Sequence, residues 1–125
     1  KKVYIMDTAM TELIRPALYG AHHTPVPVFW KNFVEWERVD IAGPVCESAD
    51  FLARDVLLPP LEPGEYVGFL SAGAYGSVMS STYNARLRPP EILIYRNTVC
   101  LARRRESYED LLLRENFPYT FVPFP

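Results

Sequence analysis

Short apolar runs, bounded by proline and glycine, recur along the chain. The run 33–41 alternates apolar and polar residues imperfectly, and the run 51–58 is mainly aliphatic until two prolines end it. Alternation with a period of two favours strands over helices. Shorter runs at 3–6 and 66–71 also have strand-like composition, and the first predicts a buried strand. The pattern therefore predicts a chain built mainly of strands.

Proline positions and short turns refine this prediction. The run 23–29 is predicted to be an edge strand, because Pro25 and Pro27 lack the N–H group that a central ladder requires. The runs 91–95 and 98–102 are separated by only two residues. Two strand-like runs at that spacing predict a β-hairpin.

Helical patterns are few and short. Pro16 disfavours helix at Arg15, so the first predicted helix is short or distorted. A sequence typical of a capping box, 107–110, starts a second helix that is predicted to end near Glu115. The first helix is predicted from apolar residues at helical spacing, which are Met10, Leu13, Ile14, Ala17 and Leu18.

Strands outnumber helices heavily in this prediction. The expected fold class is therefore mainly β, a small β-barrel or sandwich with one or two short helices. With 125 residues, the chain is long enough for one core, and we expect a single domain over 1–125. The tail 116–125, rich in proline and aromatic residues, is expected to pack in an extended conformation.

Charge, cysteine and histidine content exclude several classes of partner. The net charge is −2, and acidic residues follow the basic run 103–105 at once, so we expect a solvated strand end and no nucleic-acid partner. No apolar run reaches the roughly 20 residues of a membrane span, so we expect no membrane association and a cytoplasmic location. Cys46 and Cys100 are expected to be reduced, because one pair does not make a disulfide scaffold. The adjacent His22 and His23 would point to opposite faces of an extended chain, so we expect no metal site.

The richest chemistry lies in the stretch 43–50, Gly-Pro-Val-Cys-Glu-Ser-Ala-Asp. Gly and Pro just before the thiol predict a shaped loop between two strands, and loops on a rigid sheet often carry catalytic groups. The residues alone leave an alternative open. Cys46 could be a small buried hydrophobic residue, with Glu47 and Asp50 as solvated turn residues.

Three further stretches combine charged, aromatic and small residues. Arg15 and Tyr19, in Leu-Ile-Arg-Pro-Ala-Leu-Tyr, are four residues apart and would share one side of a helix, although Arg15 could also be a surface residue lying over Tyr19. In Ala-Gly-Ala-Tyr-Gly, at 72–76, small neighbours would leave the Tyr75 ring exposed, although it could also be a core aromatic residue. The last stretch is 83–91, Tyr-Asn-Ala-Arg-Leu-Arg-Pro-Pro-Glu.

Together, the four stretches resemble, in order and spacing, the C-terminal part of the diaminopimelate decarboxylases, which are fold-type III pyridoxal-phosphate enzymes. The resemblance covers nearly the whole chain. It implies conversion of meso-2,6-diaminopimelate to L-lysine and CO2, in lysine synthesis. It also implies an N-terminal (β/α)8 barrel, outside this sequence, that holds pyridoxal 5′-phosphate on a lysine. The family's site is shared across a homodimer, with the cysteine loop reaching into the partner's barrel.

The resemblance also implies a role for each matched side chain. Cys46 would donate a proton to the substrate after CO2 leaves, since a thiol with an ordinary pKa of roughly 8.5 is mostly protonated near neutrality. Glu47 would bind the distal ammonium of the substrate. Arg15 would hold a substrate carboxylate through its planar guanidinium, with the hydroxyl of Tyr19 on the same group. Tyr75 would contact the cofactor and line the substrate pocket.

Two departures from the family pattern change these expectations. Ala49 stands where glycine is usual, so a left-handed backbone there would cost on the order of 1–2 kcal/mol. The only lysines are Lys1, Lys2 and Lys31, and none lies in a sequence like the family's cofactor-lysine motif. We therefore do not expect this chain alone to decarboxylate a substrate.

Two alternatives remain open at this stage. The first is a decarboxylase for another basic amino acid or amine precursor, such as ornithine, arginine or carboxynorspermidine. Those relatives tend to carry Asp after the loop cysteine, so Glu47 favours diaminopimelate. The second alternative is a non-catalytic β-domain that serves only in dimerisation or regulation. Retention of all the matched residues disfavours it.

Overall fold

The strands form three separate sheets in the computed structural model, which describes residues 1–32 and 34–115. In chain order they are β1 (Lys2–Ile5), β2 (Pro25–Pro27), β3 (Glu37–Ala42), β4 (Phe51–Leu58), β5 (Val67–Phe69), β6 (Glu91–Tyr95) and β7 (Thr98–Arg103). The largest sheet has the order β1-β3-β4, with β1 parallel and β4 antiparallel to β3. The antiparallel pairs β2-β5 and β6-β7 form the other two sheets.

The core lies around the central strand β3. Its side chains Val39 and Ile41 are fully buried and pack with Leu52 and Leu58 of β4 and with Leu13. The last four residues of β3 are all buried, because this strand has a hydrogen-bonded neighbour on each side and is covered on both faces. Burying each of these Leu and Ile side chains contributes about 1.5–3 kcal/mol. The loop that follows β3 therefore starts from the most rigid part of the described fold.

The prediction of a buried strand at 3–6 is half wrong. A strand is present at Lys2–Ile5, but Val3 and Ile5 are exposed. Tyr4, between them, packs against the core, so only one face of this strand is covered. β1 pairs with β3 only, so within the described residues it is an edge strand.

Three short helices are present: α1 (Arg15–Tyr19), α2 (Gly73–Gly76) and α3 (Tyr108–Leu112). Pro16 does not exclude Arg15 from α1, contrary to our expectation, because proline fits the first turn of a helix, where its missing N–H has no partner to lose. The helix is short as predicted and ends at Gly20, whose φ of 63° is left-handed. The predicted capping box of α3 is confirmed, since the Ser107 N–H donates to Asp110 Oδ2 at 2.7 Å.

The remaining strand predictions hold with changed lengths. β4 has the predicted bounds, whereas β3 begins only at Glu37, and residue 33 lies outside the described residues. The predicted edge strand is reduced to Pro25–Pro27, which pairs with β5 alone. The hairpin of β6 and β7 is confirmed. The expectation for the tail concerns residues 116–125, which also lie outside the described residues.

The mainly β class is confirmed, but no sheet closes into a barrel within residues 1–32 and 34–115. The β6-β7 hairpin is exposed along its whole length. Its exposed apolar side chains are Ile92, Leu93, Ile94, Tyr95, Val99 and Leu101. Among the residues described, no helix has the length and apolar character needed to cross a bilayer.

The cysteines and the basic run behave as predicted. Cys46 and Cys100 are both exposed and unpaired in the structure. Arg104 binds Asp110 through two nitrogen atoms, each 2.6 Å from a carboxylate oxygen. This contact lowers the pKa of Asp110 and raises that of Arg104. The basic run at the end of β7 is therefore an exposed strand end that is partly neutralised by acidic neighbours.

Candidate functional site

The cysteine loop is shaped around one buried carboxylate, that of Asp50. This residue is only 3 % exposed, and its two oxygens accept hydrogen bonds from the backbone N–H groups of Met10 (2.7 Å) and Val45 (2.8 Å). The Gly43 N–H also donates to the Asp50 backbone carbonyl at 3.0 Å. Hydrogen bonds to an ionised acceptor are stronger than neutral ones. Asp50 is therefore a structural anchor, and its interpretation as a solvated turn residue is wrong.

Gly43 leaves room for the Asp50 carboxylate, which a side chain at position 43 would obstruct. A Cβ atom at position 43 would overlap the Asp50 carboxylate and lie 2.7 Å from Ala9 Cα. Real Cβ atoms do not approach backbone carbon that closely, so any larger residue must displace either the carboxylate or the chain at Ala9. The glycine that follows β3 thus permits the close approach that fixes the loop.

Cys46 and Glu47 stand exposed on the outer part of this loop. The Glu47 N–H donates to the Val45 carbonyl (2.8 Å), and the Asp50 N–H donates to the Glu47 carbonyl (3.0 Å), so the backbone turns tightly on both sides of the thiol. The interpretation of Cys46 as a buried hydrophobic residue is therefore wrong. The backbone strain considered for Ala49 does not arise, since Ala49 is not among the described residues with positive φ.

A second group of candidate residues joins α1 to α2. The guanidinium carbon of Arg15 lies 4.5 Å from the centre of the Tyr75 ring. The Arg15 Nε atom is buried and has no hydrogen-bond partner in the part of the chain that the structure describes. Tyr75 is half exposed, so it is not a core aromatic residue. A guanidinium stacked on a ring is held as an oriented plane, which is suited to bind an anion such as a carboxylate.

Tyr19 lies one helical turn after Arg15, and its side chain is exposed. The helical turn that would place both on one side is present. Within the described residues, however, the ring stacked on Arg15 is that of Tyr75. Among the residues that the structure describes, no hydrogen bond or ion pair links Arg15 or Tyr75 to the Cys46 loop.

Sequence reasoning missed the role of Tyr83. Its hydroxyl lies 3.3 Å from Glu47 Oε2 and donates a hydrogen bond to it. The pKa of Tyr83 is raised, chiefly by this hydrogen bond to Glu47 and further by the charge of the Glu47 carboxylate and by partial burial. The signal was available in part, because Tyr83 opens the run 83–91 that resembles the family. Its contact with residue 47 could not be inferred from that run.

The segment 7–12 holds both the loop with Cys46 and the turn with Tyr83. Its Met10 N–H binds Asp50, as described above, and its Thr11 carbonyl accepts a hydrogen bond from the Ser81 N–H at 2.9 Å. Arg86 fastens the same segment, because its Nη2 donates to the Asp7 carbonyl at 2.6 Å. The loop with Cys46 and the turn with Tyr83 are therefore attached to one common piece of backbone.

The lysines of the chain are occupied in surface ion pairs. Lys1 lies 2.8 Å from Asp40, and Lys31 lies 2.6 Å from Glu65. Lys2 pairs with Glu37. A lysine that carries pyridoxal phosphate needs a free amine, so these residues do not fit that role. The side chains described here fit contact with a cofactor and its substrate, and they do not fit covalent attachment of the cofactor.

The adjacent histidines differ in burial. His22 is exposed, and His23 is buried with its Nδ1 3.2 Å from the Leu70 carbonyl. A cleft of about 320 Å³ lies beside α1 and includes Pro16, His23 and Phe51 in its wall. No group of three or more potential metal ligands is found among the described residues.

Comparisons with known proteins show which proteins this chain is similar to. The family model of the pyridoxal-dependent decarboxylase C-terminal sheet domain matches residues 1–73. The chain is 47 % identical over 111 residues to the diaminopimelate decarboxylase of Aquifex aeolicus, covering 87 % of this chain and 26 % of that protein. It is 44 % identical over 119 residues to the diaminopimelate decarboxylase of Archaeoglobus fulgidus, covering 94 % of this chain and 28 % of that protein.

The fold agrees as well. The crystal structure of the Helicobacter pylori diaminopimelate decarboxylase complexed with L-lysine matches with a TM-score of 0.83 and 38 % identity, over 90 % of this chain and 28 % of that one. The chain thus spans about a quarter of the length of these relatives. Because the family model matches more than half of this chain, the chain belongs to the pyridoxal-dependent decarboxylases and carries their C-terminal sheet domain.

Proposed function

We propose that this chain is the C-terminal domain of a diaminopimelate decarboxylase, which converts meso-2,6-diaminopimelate to L-lysine and CO2 in lysine synthesis. One observation carries the proposal. The Cys46–Glu47 pair is exposed on a loop fixed by Asp50, in a chain 47 % identical to a diaminopimelate decarboxylase. An exposed thiol beside a carboxylate, both on a rigid loop, is a usable proton donor beside a site for a cation.

The whole enzyme would need parts that this chain does not supply. We propose an N-terminal (β/α)8 barrel that holds pyridoxal phosphate on its own lysine, because Lys1, Lys2 and Lys31 are engaged elsewhere. When bound, the cofactor supplies the electron sink for cleavage of the bond to the carboxylate. Tyr75 would contact the cofactor. The three sheets would complete a barrel or sandwich with strands from outside this sequence.

Cys46 would supply the proton that the reaction requires. The carbon–carbon bond to the substrate carboxylate breaks and releases CO2, and a new C–H bond forms at the same α-carbon. The proton would come from the Cys46 Sγ atom, and solvent would then restore the thiol. Because the loop backbone holds the thiol in one place, the proton would arrive from one direction.

The other candidate residues would bind the distal end of the substrate. Glu47 would accept hydrogen bonds from its ammonium group. Arg15, already stacked on Tyr75, would hold its carboxylate through the planar guanidinium, and the Tyr19 hydroxyl would add one hydrogen bond. A substrate with both charges at its far end would thus be distinguished from one that has only an amine.

We further propose a cytoplasmic homodimer in which Cys46 and Glu47 act on the substrate held by the partner subunit. Their exposure supports this arrangement, since the loop would be free to enter another subunit. The unpaired state of Cys46 and Cys100 supports a reducing compartment.

Replacement of Cys46 in the full-length enzyme tests the proposed function. Cys46→Ala is expected to lower kcat for meso-diaminopimelate about 100-fold or more, with little change in KM, because only a proton donor is removed. Cys100→Ala is the matched control, since this second exposed cysteine lies on the β6-β7 hairpin. Unchanged turnover in Cys46→Ala would remove the assigned role.

The substrate is tested by competition between meso-diaminopimelate and ornithine on the same enzyme. We expect a strong preference for diaminopimelate, because Arg15 would have no carboxylate to bind at the distal end of ornithine. A preference for ornithine would support the alternative decarboxylase. Absence of turnover with either substrate, in enzyme that carries the cofactor, would support a non-catalytic domain.

A further inference from the structure

Tyr83 and Glu47 are in contact although they are 36 residues apart in the sequence. The Tyr83 hydroxyl donates to Glu47 Oε2 at 3.3 Å, while Glu47 Oε1 accepts from the Ala49 N–H at 3.4 Å. Each carboxylate oxygen thus has one donor. Two donors from different parts of the fold restrict a side chain that would otherwise rotate freely.

The turn that carries Tyr83 has an unusual backbone. It is a 3-10 turn over Tyr83–Ala85, in which Asn84 and Ala85 have φ values of 58° and 56°. Asparagine tolerates this left-handed region, but alanine is strained there by roughly 1 kcal/mol. Strained backbone persists only where the surroundings impose it. The conformation that presents Tyr83 is therefore imposed by contacts and is not a local preference of the sequence.

Those contacts come from the segment that also fixes the cysteine loop. The Ser81 N–H donates to the Thr11 carbonyl (2.9 Å) just before the turn, and Arg86 Nη2 donates to the Asp7 carbonyl (2.6 Å) just after it. Met10, between these two acceptors, binds the Asp50 carboxylate. The distance between Tyr83 and Glu47 is therefore set by one shared piece of backbone.

We propose that Tyr83 is a positioning residue that orients the Glu47 carboxylate toward the distal ammonium of the substrate. The inference rests on the proposed function, because it assumes that Glu47 binds this ammonium. Tyr83 would not touch the reacting atoms. Its hydroxyl would hold Glu47 in one rotamer before the substrate arrives, so that less side-chain freedom is lost on binding.

The test uses the full-length enzyme with Tyr83→Phe, which removes the hydroxyl and keeps the ring. We expect KM for meso-diaminopimelate to rise roughly 3- to 10-fold, with kcat within about twofold of the unmodified enzyme. The inhibition constant of 2-aminopimelate, which lacks only the distal amine, should not change. Tyr95→Phe is the control, since Tyr95 is also an exposed tyrosine but lies on the β6-β7 hairpin.

A double-mutant cycle separates this inference from the proposed function. Glu47→Gln alone should raise KM, and Tyr83→Phe should add almost nothing in the Glu47→Gln background, because it acts only through Glu47. If Glu47→Gln leaves KM unchanged, the proposed role of Glu47 fails. If Glu47→Gln raises KM but Tyr83→Phe does not, or if the two effects multiply, the proposed function stands and the positioning role of Tyr83 is wrong. An equal weakening of 2-aminopimelate binding by Tyr83→Phe would also contradict it.

Discussion

The guanidinium of Arg15 is stacked on the ring of Tyr75, with 4.5 Å between the guanidinium carbon and the ring centre. The two residues come from different short helices that are 60 positions apart in the chain. The stacked arrangement leaves the Arg15 Nε atom without a hydrogen-bond partner among the described residues. This pair therefore orients a planar cation, which is suited to bind an anion.

Arg15→Lys should weaken substrate binding although it keeps the charge. Lysine cannot stack as a plane or offer two parallel donors, so we expect KM for diaminopimelate to rise about 10-fold or more in the full-length enzyme. Steady-state kinetics would measure this effect. Arg38→Lys is the matched control, because Arg38 is exposed and pairs only with Asp55 on the surface. Equal effects of the two substitutions would contradict a specific role for Arg15.

Gly43→Ala should disrupt the cysteine loop through steric overlap. The added Cβ would meet the Asp50 carboxylate and Ala9, so we expect a loss of about 1–3 kcal/mol in the free energy of unfolding and a fall in kcat. Denaturant unfolding and kinetics of the full-length protein would measure both. Gly68→Ala is the control, since its Cβ would meet only Val26 Cγ2 at an ordinary 3.5 Å. A fully active, stable Gly43→Ala variant would show that the loop does not need this close approach.

Asp50→Asn should loosen the same loop without changing its volume. An amide offers one oxygen to the two N–H donors of Met10 and Val45, so one buried donor loses its partner. We expect a destabilisation of about 1–3 kcal/mol and a decrease in kcat larger than any change in KM. Asp55→Asn is the control on the exposed part of β4. Wild-type turnover in Asp50→Asn would show that the hydrogen bonds of the Asp50 carboxylate are not needed for catalysis.

Asp40 should make stability depend on acid pH. Its pKa is lowered by a hydrogen bond from the Lys1 side chain and, next, by the Asp55 backbone N–H. A carboxyl group whose pKa falls on folding stabilises the protein above its unfolded pKa of roughly 3.9, and this contribution is lost as pH falls through the folded value. The melting temperature of Asp40→Asn should therefore lie below that of the unmodified protein at pH 6. The gap should narrow below about pH 4, and a gap that stays constant would contradict the assignment.

The sequence predicts the local secondary structure of this fold better than it predicts where each strand lies in the tertiary structure. The bounds of β4 follow from an aliphatic run that Pro59 and Pro60 end, and the β6-β7 hairpin follows from two runs with a short gap. β3 begins at Glu37, later than the alternation predicts, and Trp36 just before it packs against Trp30 with ring centres 5.6 Å apart. Which face of β1 is covered depends on tertiary packing, which hydrophobicity does not encode.

In the candidate site, too, the sequence predicts local features but not long-range contacts. Motifs single out Arg15, Tyr19, Cys46, Glu47 and Tyr75. The structure shows that Cys46 and Glu47 are exposed, and that Arg15 meets Tyr75, a contact that the motifs do not predict. The burial of Asp50 depends on a hydrogen bond to Met10, which is 40 residues away. Contacts of such long range arise from tertiary packing, so spacing within one motif cannot predict them.

The exposed β6-β7 hairpin has a consequence for hydrogen exchange. A two-stranded ribbon is marginally stable by itself, so the backbone amides of Glu91–Tyr95 should exchange with deuterium quickly unless another part of the full-length protein covers them. Amides of the central strand, such as that of Ile41, should exchange slowly in either case. The protection of the hairpin would therefore report whether another domain, such as the proposed N-terminal barrel, docks against it, independently of enzyme activity.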